Sequence, residues 1–127
     1  MPGPTAPLEA DRRPVILVVD DEPMMRWLMT TALRDHFRVL AAADGQEALD
    51  TVRMVGDEIA ALVTDIRMPR LDGLELAAQL RAMDEPPPLL FVSGLVGGRE
   101  LSGPFLAKPF RPEALLAAVQ RLVAAEA

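Results

Sequence analysis

Four polar positions each stand directly after a short strand-like run. Asp20-Asp21 follow Val15-Ile16-Leu17-Val18-Val19, and Asp65 follows Leu62-Val63-Thr64. Ser93 follows Leu89-Leu90-Phe91-Val92, and Lys108 follows Phe105-Leu106-Ala107. In an open parallel sheet, ligands bind in the crevice outside the carboxyl ends of the strands. Four such strand ends would gather three carboxylates, one hydroxyl and one ammonium into one cluster, which reads as a phosphoryl-transfer site. Taken singly, each residue has an ordinary explanation: a helix cap for Asp20-Asp21, a loop aspartate, a Ser-Gly turn, a solvated lysine. Their combination carries the reading.

The elements that must position these groups alternate along the chain. Val15 to Val19 is a continuous apolar run, as expected for a strand covered on both faces. Asp20-Asp21-Glu22-Pro23 reads as a helix start, and Met25, Leu28, Met29, Ala32 and Leu33 make an amphipathic stripe. Phe37 to Ala42 is a short strand followed by the turn signal Asp44-Gly45. Ala48, Leu49, Val52 and Val55 mark a second helix, closed by Gly56-Asp57. Ile59 to Thr64 is the third strand. Asp72-Gly73 opens a helix through about Met83, ended by Pro86-Pro87-Pro88. Leu89 to Val92 and Phe105 to Ala107 are the last strands, and Pro112-Glu113 starts a helix buried through Leu115, Leu116, Val119, Leu122 and Val123. Such alternation predicts an α/β fold, a doubly wound five-stranded parallel sheet with right-handed crossovers.

Fourteen residues separate Ser93 from Lys108, and GLVGGRELSGP among them holds four glycines and a proline. Glycine costs a helix up to about 1 kcal/mol relative to alanine. A loop or single turn is expected there, not a full helix.

Composition narrows the function. At 127 residues with 50% hydrophobic content, one domain with a real core is expected, preceded by a loose leader over 1–13. The net charge of -6 argues against nucleic-acid binding. With no cysteine and one histidine, His36, thiolate and multi-histidine metal sites are excluded. No apolar stretch approaches a membrane span, and the leader lacks a signal-peptide core, so a cytoplasmic protein is expected. Neither G-x-G-x-x-G nor G-x-x-x-x-G-K-[ST] is present.

The set VVDD, TDIRMPRLDG, FVSG and KPF resembles the receiver domain of bacterial two-component response regulators, over residues 14–127. The resemblance implies the strand order 2-1-3-4-5 of flavodoxin-like folds. It implies that Asp65 accepts a phosphoryl group from a histidine kinase, with Mg2+ as cofactor. Asp21 and Asp65 would be direct magnesium ligands, Asp20 a ligand through water, and the Arg67 backbone carbonyl a further donor. Lys108, followed by Pro109 after a cis peptide, would pair with a phosphoryl oxygen. Ser93 would hydrogen-bond the phosphoryl group, and Phe105 would be the switch aromatic. Arg67 and Leu95 would flank the pocket mouth; an apolar Leu95 cannot position attacking water, which implies a phosphoaspartate that is not especially short-lived.

Implied partners are a histidine kinase or histidine phosphotransfer domain and a downstream protein effector, with no nucleic acid and no membrane. The shortened fourth crossover puts the usual activated dimer face in question, and is similar to receivers of hybrid histidine kinases. No effector domain is expected after the last helix. Such a module is not a turnover enzyme, although it promotes its own phosphorylation and dephosphorylation. The competing reading is a constitutive interaction module that keeps the fold without phosphate. A haloacid-dehalogenase-like phosphohydrolase would need D-x-D after the first strand, which is absent.

Overall fold

The computed structural model describes residues 11–94 and 103–126. Five parallel strands, β1 (Val15–Val19), β2 (Arg38–Ala42), β3 (Ile59–Asp65), β4 (Leu89–Ser93) and β5 (Phe105–Ala107), form one sheet in the order 2-1-3-4-5. Among the described residues four α-helices flank it: α1 (Pro23–Leu33), α2 (Gly45–Val55), α3 (Gly73–Arg81) and α4 (Pro112–Glu126). A single 3-10 turn, Gly56–Glu58, follows α2. The predicted fold class and order are those observed. The turn signal Asp44-Gly45 turns out to be the start of α2, with Asp44 as its N-cap. The α3 helix ends at Arg81, two residues before the predicted Met83.

Successive side chains of a strand point to opposite faces, which explains the continuous apolar run of β1. Val15, Leu17 and Val19 pack with Ala48, Leu49 and Val52 of α2 and with Leu76 and Leu80 of α3. Ile16 and Val18 pack on the other face with Met29 and Leu33 of α1 and with Leu115 and Val119 of α4. Both faces of β1 are therefore dry, and each fully buried side chain of this kind contributes about 1.5–3 kcal/mol. The edge strand β2 is different: Leu40 is 40% exposed.

The connection from β4 to β5 was expected to be a loop or single turn. Its residues 95–102, Leu95 included, lie outside the described residues, and Gly94, Gly103 and Pro104 bound it. Residues 11–13 of the expected leader are described: Arg13 holds Asp11, and its Nη1 donates to the Arg34 carbonyl at 2.8 Å.

The start of α3 is tied to the end of β3. Asp72 and Glu75 form a capping box, and the Gly73 N–H donates to the Ile66 carbonyl at 2.7 Å. A Cβ added to Gly73 would overlap the Asp65 carbonyl oxygen, so only glycine permits this approach. Gly73→Ala should therefore cost about 3 kcal/mol, the upper end for overpacking, read from urea unfolding at unchanged m. Gly56→Ala, whose added Cβ would meet only a Val52 methyl at 3.2 Å, should stay within about 1 kcal/mol of wild type.

Candidate functional site

The register of the sheet brings the singled-out residues together. Thr64 pairs with Val19, Asp65 with Val92, and Ser93 with Ala107. Asp20, Asp65, Ser93 and Lys108 thus sit at or just beyond the carboxyl ends of four adjacent strands. The Lys108 ammonium lies between two carboxylates, 3.0 Å from Asp20 Oδ2 and 3.1 Å from Asp65 Oδ2. Oxygen atoms of Asp20, Asp21 and Asp65 all lie within 4.8 Å of one another.

Asp20 and Asp65 are each held by a local turn. Asp20 is buried, and its Oδ1 accepts the Glu22 N–H at 2.9 Å, which bends the chain into α1. Asp20 therefore orders the turn before the helix; α1 itself carries no side-chain cap bond at Glu22. Asp21 is exposed at the mouth. Asp65 Oδ1 accepts the Ile66 N–H at 2.7 Å, leaving Oδ2 for Lys108. The Lys108 N–H donates to the Ser93 carbonyl at 2.8 Å, continuing the β4–β5 ladder to the site, and the Lys108–Pro109 peptide is cis. Ser93 is buried.

Arg67, with Asp21, Met68, Pro69 and Asp72, lines an open depression of about 380 Å³ beside the carboxylates. A larger depression of about 600 Å³ lies between Met54 and Met83 and holds none of the clustered groups. Phe105 stands opposite Phe91 in the sheet and is half-buried against the cluster of Ile66, Ala77 and Phe91.

The charge balance is uneven. Three carboxylates face one ammonium, a formal excess of two negative charges. Burial, aided by the nearby Asp65 charge, raises the Asp20 carboxyl above its usual range despite the bonds from Glu22 and Lys108. Burial opposes the Lys108 charge, yet the bonds to Asp20 and Asp65 outweigh it and hold the ammonium above its ordinary value. The two shifts differ in cause: burial dominates at Asp20, whereas at Lys108 the two carboxylates prevail over burial. The all-oxygen donor set and this surplus fit a hard divalent cation of the magnesium type.

Three contributors carried no recognised signal in the sequence. Arg26 on α1 reaches back to donate to the Asp20 carbonyl at 2.8 Å. The Thr64 hydroxyl donates to the Asp65 carbonyl at 2.8 Å. Arg70, past the depression, forms an ion pair with Asp44. An arginine one helical turn past the site, or in a loop, looks like any surface arginine until the fold is known.

A sheet in the order 2-1-3-4-5 with an acidic crevice at its carboxyl end is the architecture of receiver domains. Residues 16–120 match the response regulator receiver domain family, and the chain belongs to it. It is 40% identical over 116 residues to response regulator MprA of Mycolicibacterium vanbaalenii, covering 85% of this chain and 49% of that protein. The same protein of Mycobacterium tuberculosis strain H37Rv is equally similar, with 50% of it covered. The chain thus spans about half the length of the curated relatives it matches.

Among solved structures, the receiver domain of Francisella response regulator 1452 superposes with a TM-score of 0.82 at 27% identity, covering 91% of this chain and all of that one. The chemotaxis response regulator CheY4 of Vibrio cholerae gives 0.79 at 28%, covering 87% and 98%. Among the described residues no helix is long and apolar enough to cross a membrane.

Because charged Asp20 is disfavoured in the folded state, Asp20→Asn should raise the stability of the metal-free protein by about 1 kcal/mol at pH 7. The sign with pH follows from the raised value. As pH falls through it, the folded state takes up this proton before the unfolded chain does, and wild type gains stability relative to the variant. The gap between the two should therefore close on acidification toward the ordinary carboxylate value of about 3.9, followed by urea unfolding at several pH values.

Proposed function

We propose that this chain is a phosphoacceptor signalling module in which Asp65 takes a phosphoryl group from a phosphohistidine. The observation that carries the reading is the Lys108 ammonium held between Asp20 and Asp65 beside a third carboxylate. One Asp65 oxygen is anchored by a backbone N–H, and the other meets the Lys108 ammonium at the end of a long side chain. In the transfer, the Asp65 carboxylate oxygen bonds to phosphorus as the phosphorus–nitrogen bond of the donor breaks. The imidazole leaves with the electron pair and regains a proton. The product is an acyl phosphate.

Asp21 and Asp65 would hold magnesium directly, with Asp20 through water and the Arg67 carbonyl completing the protein's donors. When bound, the ion offsets the negative charge that gathers as carboxylate meets phosphoryl group. Lys108 then transfers its pairing from carboxylate to phosphoryl oxygen as a compact charge. Ser93, buried one strand over, supplies a hydroxyl to the phosphoryl group and draws its segment inward. Phe105 is only half-buried, so an inward turn has surface left to bury. A changed surface around β5 and α4 is then read by a protein effector, and the module turns over no separate substrate.

The donor is a histidine kinase or histidine phosphotransfer domain acting in the cytoplasm. Met24 and Trp27, one turn apart on α1, are 70% and 61% exposed at the helix that springs from Asp20-Asp21. They supply apolar surface where a donor must sit. Net charge of -6 is consistent with a protein partner for this domain and not nucleic acid.

Incubation with acetyl phosphate and magnesium should add one phosphoryl group by intact mass, lost in Asp65→Asn and on chelation. No gain under any condition would instead favour a phosphorylation-independent interaction module. Trp27→Ala should slow transfer from a phosphohistidine donor about tenfold, as removal of an exposed aromatic anchor does, while labelling by acetyl phosphate stays unchanged.

A further inference from the structure

The segment Ile66–Asp72 forms the wall of the depression facing Asp21, and it carries Arg67. Its base is closed by the Gly73–Ile66 bond, and Met68 and Leu71 are set into the core beside Leu17 and Leu76. Its apex rests on the start of α2. Arg70 pairs there with Asp44, whose carboxylate is only 10% exposed and also accepts the Glu47 N–H at 2.8 Å. A Cβ on Gly45 would overlap the Leu71 carbonyl, so the two backbones are in direct contact. Arg70 itself has φ of 69°, the sole positive φ at a non-glycine position among the described residues. A backbone of that kind favours glycine, and an arginine held there calls for a side-chain role.

We infer that Arg70 is a positioning residue for the metal crevice: its pairing with Asp44 sets where the Arg67 wall stands relative to Asp21. This rests on the magnesium reading proposed above. Exposed ion pairs are usually weak because both side chains must be ordered. Here Asp44 is already fixed by burial and by the helix cap, so only Arg70 is ordered when the pair forms. The α2 start thereby braces a loop that contributes a donor to a site on other strands, as outer partners of metal ligands do.

Two substitutions separate this role from simple support of the fold. Arg70→Gly removes the pair yet suits the positive φ, and Asp44→Asn removes the charge yet keeps a good N-cap. Magnesium affinity by titration calorimetry should fall about tenfold in each, the low end for losing an outer partner. The double variant should lose no more than either single one, since one interaction is removed. In metal-free protein, amide exchange across 67–71 should quicken in both, with the melting temperature of Arg70→Gly unchanged or raised.

Affinity equal to wild type in both variants would overturn the inference and leave the phosphoacceptor reading standing. So would losses that add in the double variant or track a lowered melting temperature. Wild type that binds magnesium no better than an Asp21→Asn control would overturn the metal reading, and this inference with it.

Discussion

The site is organised around one ammonium shared by two carboxylates. Lys108 arrives from the end of β5, while Asp20 and Asp65 arrive from β1 and β3, and β4 lies between. Without that cation, three carboxylates would face one another in a crevice where water screens them poorly. With it, the three carboxylates still outnumber the one ammonium, and the two that pair with Lys108 hold its value up against burial. The architecture is arranged to tolerate this imbalance: Asp20 and Asp65 are each pinned by a backbone N–H of their own turn, and the sheet beneath is buried on both faces. A dry, rigid sheet supplies the stability that the crevice gives away.

The same constraint accounts for the glycines around the loop. For the Asp65 segment to turn from strand to helix within a few residues, α3 must begin against the end of β3, and α2 must begin against the loop. Gly73 permits the first approach and Gly45 the second. Both glycines directly follow an aspartate that caps the helix, so Asp44-Gly45 and Asp72-Gly73 are one device used twice. In each, the carboxylate satisfies a first-turn N–H while the missing Cβ admits a backbone carbonyl.

The fold and the cluster were legible in the sequence because both rest on local signals. Continuous apolar runs marked the strands of a sheet covered on both faces, and a polar residue after each run marked the crevice. The alternation of β1, α1, β2, α2 and β3 needed only periodicity and turn residues. What escaped was contact between residues far apart in sequence. Nothing local distinguishes Arg26 or Arg70 from solvated arginines, since their partners are a main-chain carbonyl and an aspartate already read as a turn signal. Asp20 was weighed as a helix cap, whereas its carboxylate closes the preceding turn and meets a lysine 88 positions away. Short-range geometry separates those two roles, and spacing alone does not.

On the phosphoacceptor reading proposed above, the charge imbalance suits a switch better than a simple binding pocket. A fully neutralised crevice would have one resting arrangement and little reason to leave it. Here Lys108 has two nearly equal carboxylate partners, and a phosphoryl group on Asp65 would offer a third with more negative charge and more acceptor oxygens. Moving one ammonium would pull on the strand end that carries it, and among the described residues β5 is the shortest strand and a sheet edge, paired with β4. Ser93 and Lys108 are joined through the last rung of that pairing, and Phe105 stands at its other end. On that reading, a charge rearrangement in the crevice would act first on this short edge strand, whose half-buried Phe105 packs on Ile66, Ala77 and Phe91.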